Sequence, residues 1–388
     1  MNRRMPVFVG FLLLIVLSVM AGSRGVVQMV GADAGGDTFT YLPIMVKHNP
    51  PAYKIIFASD RDNARGVYDI FMMDTDGANV KNLTNTPLVS ETYPTWSPDG
   101  AQIAYLSGTE NAADVFVMSS TGEQKLKVSG TPTAQARGVV WSPDSTRLGF
   151  VSDRDDVAGV HDVFVVNRDG AGLVNLTNST DIDERSLDWS PDSSRIVYLA
   201  DLSVNPISLL GHILTMNANG TNKVTISTNN GFNLDPIWSP QGDKIAFIIP
   251  GFSDSALVTV NPDGTNRIFV TNPNVIKFVE EGISWDTSGS QILFKGSEAS
   301  SGGTVNLFVV NATTGDYVNV TANVPGSGYP FRSMSLSATD TQIVYDEDFL
   351  LQRGDISIIN VDGTGYTNLT SSDNDDDRWP NWSPIMLP

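Results

Sequence analysis

Eight carboxylates recur at one place in a repeated pattern, three to six residues ahead of a tryptophan. They are Glu91, Asp183, Glu184, Asp235, Glu280, Glu281, Asp376 and Asp377, preceding Trp96, Trp189, Trp238, Trp285 and Trp382. If those tryptophans mark equivalent positions of a closed repeat, the acids face one mouth. Oxygen donors gathered this way suit a calcium ion or a basic peptide. A pair at the right separation would suit acid–base cleavage of a glycoside. The competing reading is that each acid satisfies amides of its own loop, as aspartate does in turns.

Other chemistries lack their residues. The chain contains no cysteine, so thiolate metal sites, cysteine nucleophiles and disulfides are excluded. Its three histidines, His48, His161 and His212, show no metal-binding spacing. No Gly-x-Ser-x-Gly elbow for acyl transfer occurs. No catalytic residue, resident metal or cofactor is therefore expected, calcium being the one ion the acids would suit. His212 occupies the slot of Asp69, Asp114, Asp162 and Asp355, where a polar side chain reads as a loop anchor.

The elements that carry these residues repeat. Trp96-Ser97-Pro98-Asp99-Gly100 recurs as Trp141-Ser142-Pro143-Asp144-Ser145, Trp189-Ser190-Pro191-Asp192-Ser193 and Trp238-Ser239-Pro240-Gln241-Gly242. It decays at Trp285 and Leu336 and returns at Trp382-Ser383-Pro384. The markers are about 45–51 residues apart, a period typical of propellers and solenoids. Each unit opens on a β-rich run such as Lys54-Ile55-Ile56-Phe57 or Arg195-Ile196-Val197-Tyr198, apolar at both parities, as in a strand covered on both faces. A second strand ends at an Asp-Gly or Asn-Gly hairpin turn. A short third strand and a polar loop lead to the tryptophan strand, whose indole should fill the wedge between sheets.

Opening runs and tryptophan-type strands each number seven. The first unit lacks its own tryptophan strand, and the last strand lacks a unit. Pairing the two predicts an all-β, seven-bladed propeller of four-stranded antiparallel blades, closed by the C-terminal strand. Its variable loops, Ser59–Val67, Ala200–Gly211, Pro250–Ala256, Lys295–Thr304 and Asp346–Gly354, share the acidic face, which is the expected binding surface.

Composition bounds the partners. Aspartate and glutamate total 43 against 24 lysines and arginines, a formal charge of −19. Nucleic acid and an anionic membrane surface are disfavoured as partners, and basic ones are attracted. Arg3 and Arg4, the apolar run Val7–Met20 and small residues at Ala21–Ser23 have the order of a secretory signal, uncleaved anchor being the alternative. The expected domains are a signal segment at 1–23, a linker at 24–52 with a short strand near Thr40–Val46, and one propeller at 53–388. The protein is expected to be exported, to the periplasm, the cell surface or the medium.

From Lys54 to Pro384 these units resemble the TolB-type, WD40-like β-propeller repeat. The likeness rests on the lysine-started strand, the Asp-Gly turn, Leu-Thr and Pro-x-Trp-Ser-Pro-Asp-Gly, with Ser59-Asp60-Arg61-Asp62 and Ser152-Asp153-Arg154-Asp155 fitting too. Leu336 breaks the pattern in the sixth tryptophan-type strand. The resemblance implies a monomeric, non-enzymatic scaffold that binds a protein, peptide or envelope component, including an envelope glycan. A polysaccharide hydrolase or lyase using channel carboxylates, or a sensory ectodomain on a signal anchor, are the alternatives.

Overall fold

The structure is a computed structural model. It describes residues 26–29, 42–45, 52–109, 111–130, 135–155, 160–201, 211–227, 233–251, 254–324, 331–349, 353–371 and 374–387. The signal segment and His48 lie outside the described residues. Chain contacts separate a unit ending at Ala52 from a second unit, Tyr53–Leu387. In the first unit Val26–Met29 pairs antiparallel with Leu42–Met45. The strand near Thr40–Val46 is thus found. The expected linker carries a strand of its own, built from the β-branched pair Val26-Val27.

The second unit is seven four-stranded antiparallel sheets. Blade 1 runs from the centre outward as Asp377–Trp382, Lys54–Ser59, Asp69–Asp74 and Lys81–Asn82. Blades 2 to 7 begin with the innermost strands Ser90–Trp96, Ala136–Trp141, Asp183–Trp189, Leu234–Trp238, Ile276–Trp285 and Phe331–Leu336. Each innermost strand touches that of the next blade, and Phe331–Leu336 touches Asp377–Trp382, which touches Ser90–Trp96. The ring is closed by Ile55 pairing with Trp382 and Ile56 with Asn381. Lys54 N–H donates to Ser383 Oγ at 2.8 Å, joining residues 329 apart in sequence.

Both parities of the second strands are apolar because both faces are covered. Ile55, Phe57, Phe71 and Trp382 pack on Val344, Ile356 and Ile358 of blade 7, while Ile56, Ala58 and Ile70 pack on Trp96 of blade 2. Each indole is buried against the preceding blade, as Trp141 is on Ala104 and Val117. Removing a large aromatic from water at these wedges is the main cohesive term between blades. The long polar residues that open the strands cap the same wedges. The guanidinium of Arg147 lies 4.7 Å above the Trp189 ring, and that of Arg195 lies 4.6 Å above Trp238.

The Ser-Pro-Asp turns explain their own composition. Ser97 Oγ donates to Asp99 Oδ1 at 2.6 Å and accepts the Gln102 N–H at 2.9 Å. Gly100 has φ 68°. Ser145 and Ser193 take that left-handed slot in blades 3 and 4, at φ 60° and 58°. There each hydroxyl accepts an N–H from the preceding blade's turn, Asp99 at 3.0 Å and Asp144 at 3.1 Å. The steric cost of losing glycine is set against a hydrogen bond between blades.

Candidate functional site: the channel mouth

The eight predicted acids part company. Glu91 and Glu184 are buried at 3% exposure, facing into their blades. Glu91 accepts from Thr86 and from Ser107 Oγ. Glu184 accepts from Ser179 Oγ at 3.2 Å and Thr177 Oγ1 at 3.3 Å. Burial pushes their pKa values up to about 7 and about 8. Asp183 accepts from His161 Nδ1 at 2.8 Å and Arg185 Nε at 3.1 Å. Asp376 holds Gly354 N, Arg378 and, at 2.5 Å, the Tyr68 hydroxyl. Asp377 forms an ion pair with Arg61 at 2.9 Å. Asp235 ties blade 5 to blade 6 by accepting Gly282 N at 2.6 Å and Ile283 N at 2.9 Å. Glu280 is exposed. Glu281 shares its strand, and its side chain lies outside the described residues. Among the described residues no three acids or histidines come together as a metal site would require.

The geometry brings other residues together. In every blade the innermost strand carries a register shift about three residues before its tryptophan position. Such a bulge gives one strand an extra residue and turns it out of the pleat. At this place blades 3 and 6 have Gly138 at φ 58° and Gly282 at φ 92°. Blades 2, 5 and 1 have Tyr93, Asp235 and Trp379 at φ 53°, 53° and 52°. A side chain in this left-handed region costs about 1–2 kcal/mol, and an aromatic one is rarely found there.

The two strained aromatics meet. The Tyr93 and Trp379 rings are 4.4 Å apart at 34°, and Tyr93 is 53% exposed. They border a cavity of about 560 Å³ lined by residues of blades 1, 2, 3, 6 and 7, among them Thr95, Arg332, Met334 and Asn381. Beneath it, buried Asp346 accepts the N–H groups of Ser333 at 2.7 Å, Arg332 at 3.0 Å and Trp379 at 3.3 Å. One carboxylate thus fixes the bulges of two blades. Lys295 Nζ donates to Arg332 O at 3.2 Å. Both Lys295 and Asp346 were expected in variable loops. They sit within the strands Gln291–Glu298 and Gln342–Phe349, because those hairpins continue past the aromatic residue. The wall of this cavity is therefore aromatic and carries cationic groups, and none of the eight acids is among its described lining residues.

Residues 52–313 match the TolB beta propeller domain, well over half of the chain. The protein belongs to this family. Curated protein sequences give no match. Among solved structures, the TolB-type ring is similar to TolB from Acinetobacter baumannii, at 15% identity over 87% of this chain and 81% of that one, TM-score 0.55. It is also similar to an oligogalacturonate lyase in complex with manganese, at 14% identity over 82% and 86%, TM-score 0.62. A puromycin hydrolase matches at 11% identity over 83% of this chain and 53% of its own, TM-score 0.61. At such identities the likeness establishes the fold, and one fold hosts many functions.

Proposed function

We propose that this TolB-type propeller is an exported, non-catalytic scaffold that receives a segment of a protein or peptide at its channel mouth. The observation that carries this reading is the Tyr93–Trp379 pair, held in backbone that favours glycine and left half-open above a cavity. Strain kept at an exposed aromatic pair is the pattern of a recognition site. Stacked aromatics give large contact area at low entropy cost. Arg332, exposed beside them, suits backbone carbonyls or carboxylates of the bound segment.

The test is a peptide display selection on purified protein, followed by Tyr93→Gly and Trp379→Gly. Glycine relieves the left-handed strain and so offsets part of the lost ring contact; Tyr93→Gly should change stability by less than about 1 kcal/mol, and Trp379→Gly, whose indole packs on Tyr68 and the Ile56–Trp96 core, should lose about 1–3 kcal/mol. Affinity for selected peptides should fall at least roughly tenfold for each variant. Peptides that bind both variants as tightly as the parent protein would remove the channel mouth from consideration.

A further inference from the structure

The channel-mouth cavity offers hydrogen-bond donors with no carboxylate to balance them. Among its described lining residues there is no aspartate, glutamate or histidine. Asn381 accepts the Trp96 N–H through Oδ1 at 3.3 Å. That bond fixes the orientation of the amide, because an N–H needs an acceptor. Its Nδ2 makes no hydrogen bond with the described residues and lies in the cavity wall. Trp379 differs from the wedge tryptophans. The Nε1 atoms of Trp96, Trp189, Trp238, Trp285 and Trp382 are buried. The Trp379 indole lines the cavity, and its Nε1–H is neither buried nor bonded to a described residue. Exposed Arg332 adds a guanidinium, which like an indole N–H can only donate. The Thr95 hydroxyl can do either.

The apolar part of the wall is set in advance. Trp379 is held from behind by Tyr68, edge-on at 5.5 Å and 67°. The Tyr68 hydroxyl is in turn bonded to Asp376, and the Trp379 backbone N–H to Asp346. Tyr93 stacks on the other side of Trp379, and Val139, Met334, Pro94 and Pro380 complete the wall. A flat apolar ring settling here would cost little ordering of the protein. At about 560 Å³ the cavity is in the range that holds a ligand.

We propose that the segment received at the channel mouth is proline-rich. It binds as a polyproline II helix, a pyrrolidine ring against Tyr93 and Trp379 and carbonyl oxygens accepting from Trp379 Nε1 and Asn381 Nδ2. This rests on the channel-mouth reading and names its partner. Chemistry selects each part. An ordinary peptide residue brings an N–H with every C=O, and here the N–H would lose water without a carboxylate to meet it. Proline brings the C=O alone. A polyproline II helix has no internal hydrogen bonds, so its carbonyls are free, and it is already formed before binding. Its flat rings suit an aromatic wall. A glycan would stack as well, but its hydroxyls are donors and meet the same lack of acceptors. A lysine-rich segment would face Arg332 with no compensating acid among the described lining residues.

Titration of the whole protein, labelled at its tryptophan indole nitrogens and followed by NMR, tests this with octaproline, an octamer of alternating glycine and serine, and chitohexaose. Octaproline should saturate and bind at least roughly tenfold more tightly than the other two. It should shift the indole resonance that is missing from Trp379→Phe. That variant keeps a ring and removes the N–H, so it should weaken octaproline roughly fivefold. Tyr93→Gly, which removes an exposed ring and spares the core, should weaken it at least roughly tenfold. The inference is overturned if octaproline does not saturate, if the glycine–serine peptide or the sugar binds as tightly, or if the Trp379 resonance stays in place. Proline-free peptides from the display selection that bind through Tyr93 while octaproline fails would overturn it and leave the channel-mouth reading standing. Failure of every peptide would remove both.

Discussion

Tyr93 and Trp379 show how a single backbone angle can single out a residue. The tripeptide Pro94-Thr95-Trp96 reads as an ordinary strand, and strict alternation would turn Tyr93 away from the face of Trp96. The bulge defeats that count. The one sequence clue is that the copies at the same offset are Gly138 and Gly282, and a lone glycine in a strand pattern suggests a bulge. At the same scale, the acids were visible but their direction was not. Glu91 and Glu184 follow a rule that emerges only from the packing: blades 2 and 4 have Tyr105 and Tyr198 where blades 1, 3, 5 and 6 have phenylalanine, and each tyrosine lies near its buried glutamate.

These buried acids set a pH dependence. Burial raises Glu91 to about 7 and Glu184 to about 8 in the folded chain. The folded state then holds more protons than the unfolded one from about pH 4 upward, so stability falls as pH climbs toward 8. The acid side has the opposite cause. Bonds from Ser190 and Ser194 hold Asp192 at about 2, stability that is lost as pH drops below 4. Tm should therefore peak near pH 5 and decline by pH 9, with the alkaline decline shallower in Glu184→Gln. A flat Tm between pH 5 and 9, or an unchanged slope in the variant, would contradict this account.

Elements are joined here by a repeated polar tie. Asp69 opens the third strand of blade 1, and its carboxylate gathers Asn82 Nδ2 at 2.8 Å, Thr84 Oγ1 at 3.1 Å and Thr86 N at 2.8 Å. Asp162 does the same with Asn175, Thr177 and Ser179, and Asp355 with Asn368. The Asn-x-Thr copies in the sequence are therefore hydrogen-bonding parts of this tie. Each tie holds a two-residue outer strand that has almost no ladder of its own. Asp69→Ala should cost about 1–3 kcal/mol, since the carboxylate is fully buried and its donors would be left unpaired. Hydrogen exchange should rise first at Leu83 to Thr86. Loss confined to other blades would show that the tie is not what holds this loop. The strands and turns were legible because period, Asp-Gly turns and tryptophan spacing agree with one another. The loop lengths were not, since polar residues such as Lys295 and Asp346 continue strands as buried groups.

For the whole molecule, the legible feature was closure. Seven opening runs, seven tryptophan-type strands and an offset of one strand leave the first sheet incomplete without the last. The structure pairs Ile55 with Trp382 as that count requires. It adds a latch beyond the pairing. Leu387 is buried at 9% exposure among Ile56, Trp96 and Ile103, and Ile385 crosses the turn at Gly100, where a Cβ would stand 2.5 Å from Ile385 Cγ1. Removing residues 385–388 should cost about 2 kcal/mol from the lost leucine. Trp382→Ala should cost about 3–5 kcal/mol. Thermal unfolding of both variants measures this, and a truncated protein as stable as the parent would assign closure to the strand pairing alone.

That joint has a kinetic side. Until residue 382 emerges from whatever threads or synthesises the chain, the ladder of Lys54–Ser59 has one bare edge, and no neighbour in sequence can cover it. Every other blade is finished by segments made close together in time. The first blade alone must wait for the whole length of the ring, so an interrupted copy is a template for pairing with its siblings. Delivery of the tail, rather than formation of any one sheet, sets the moment at which the protein becomes safe from itself.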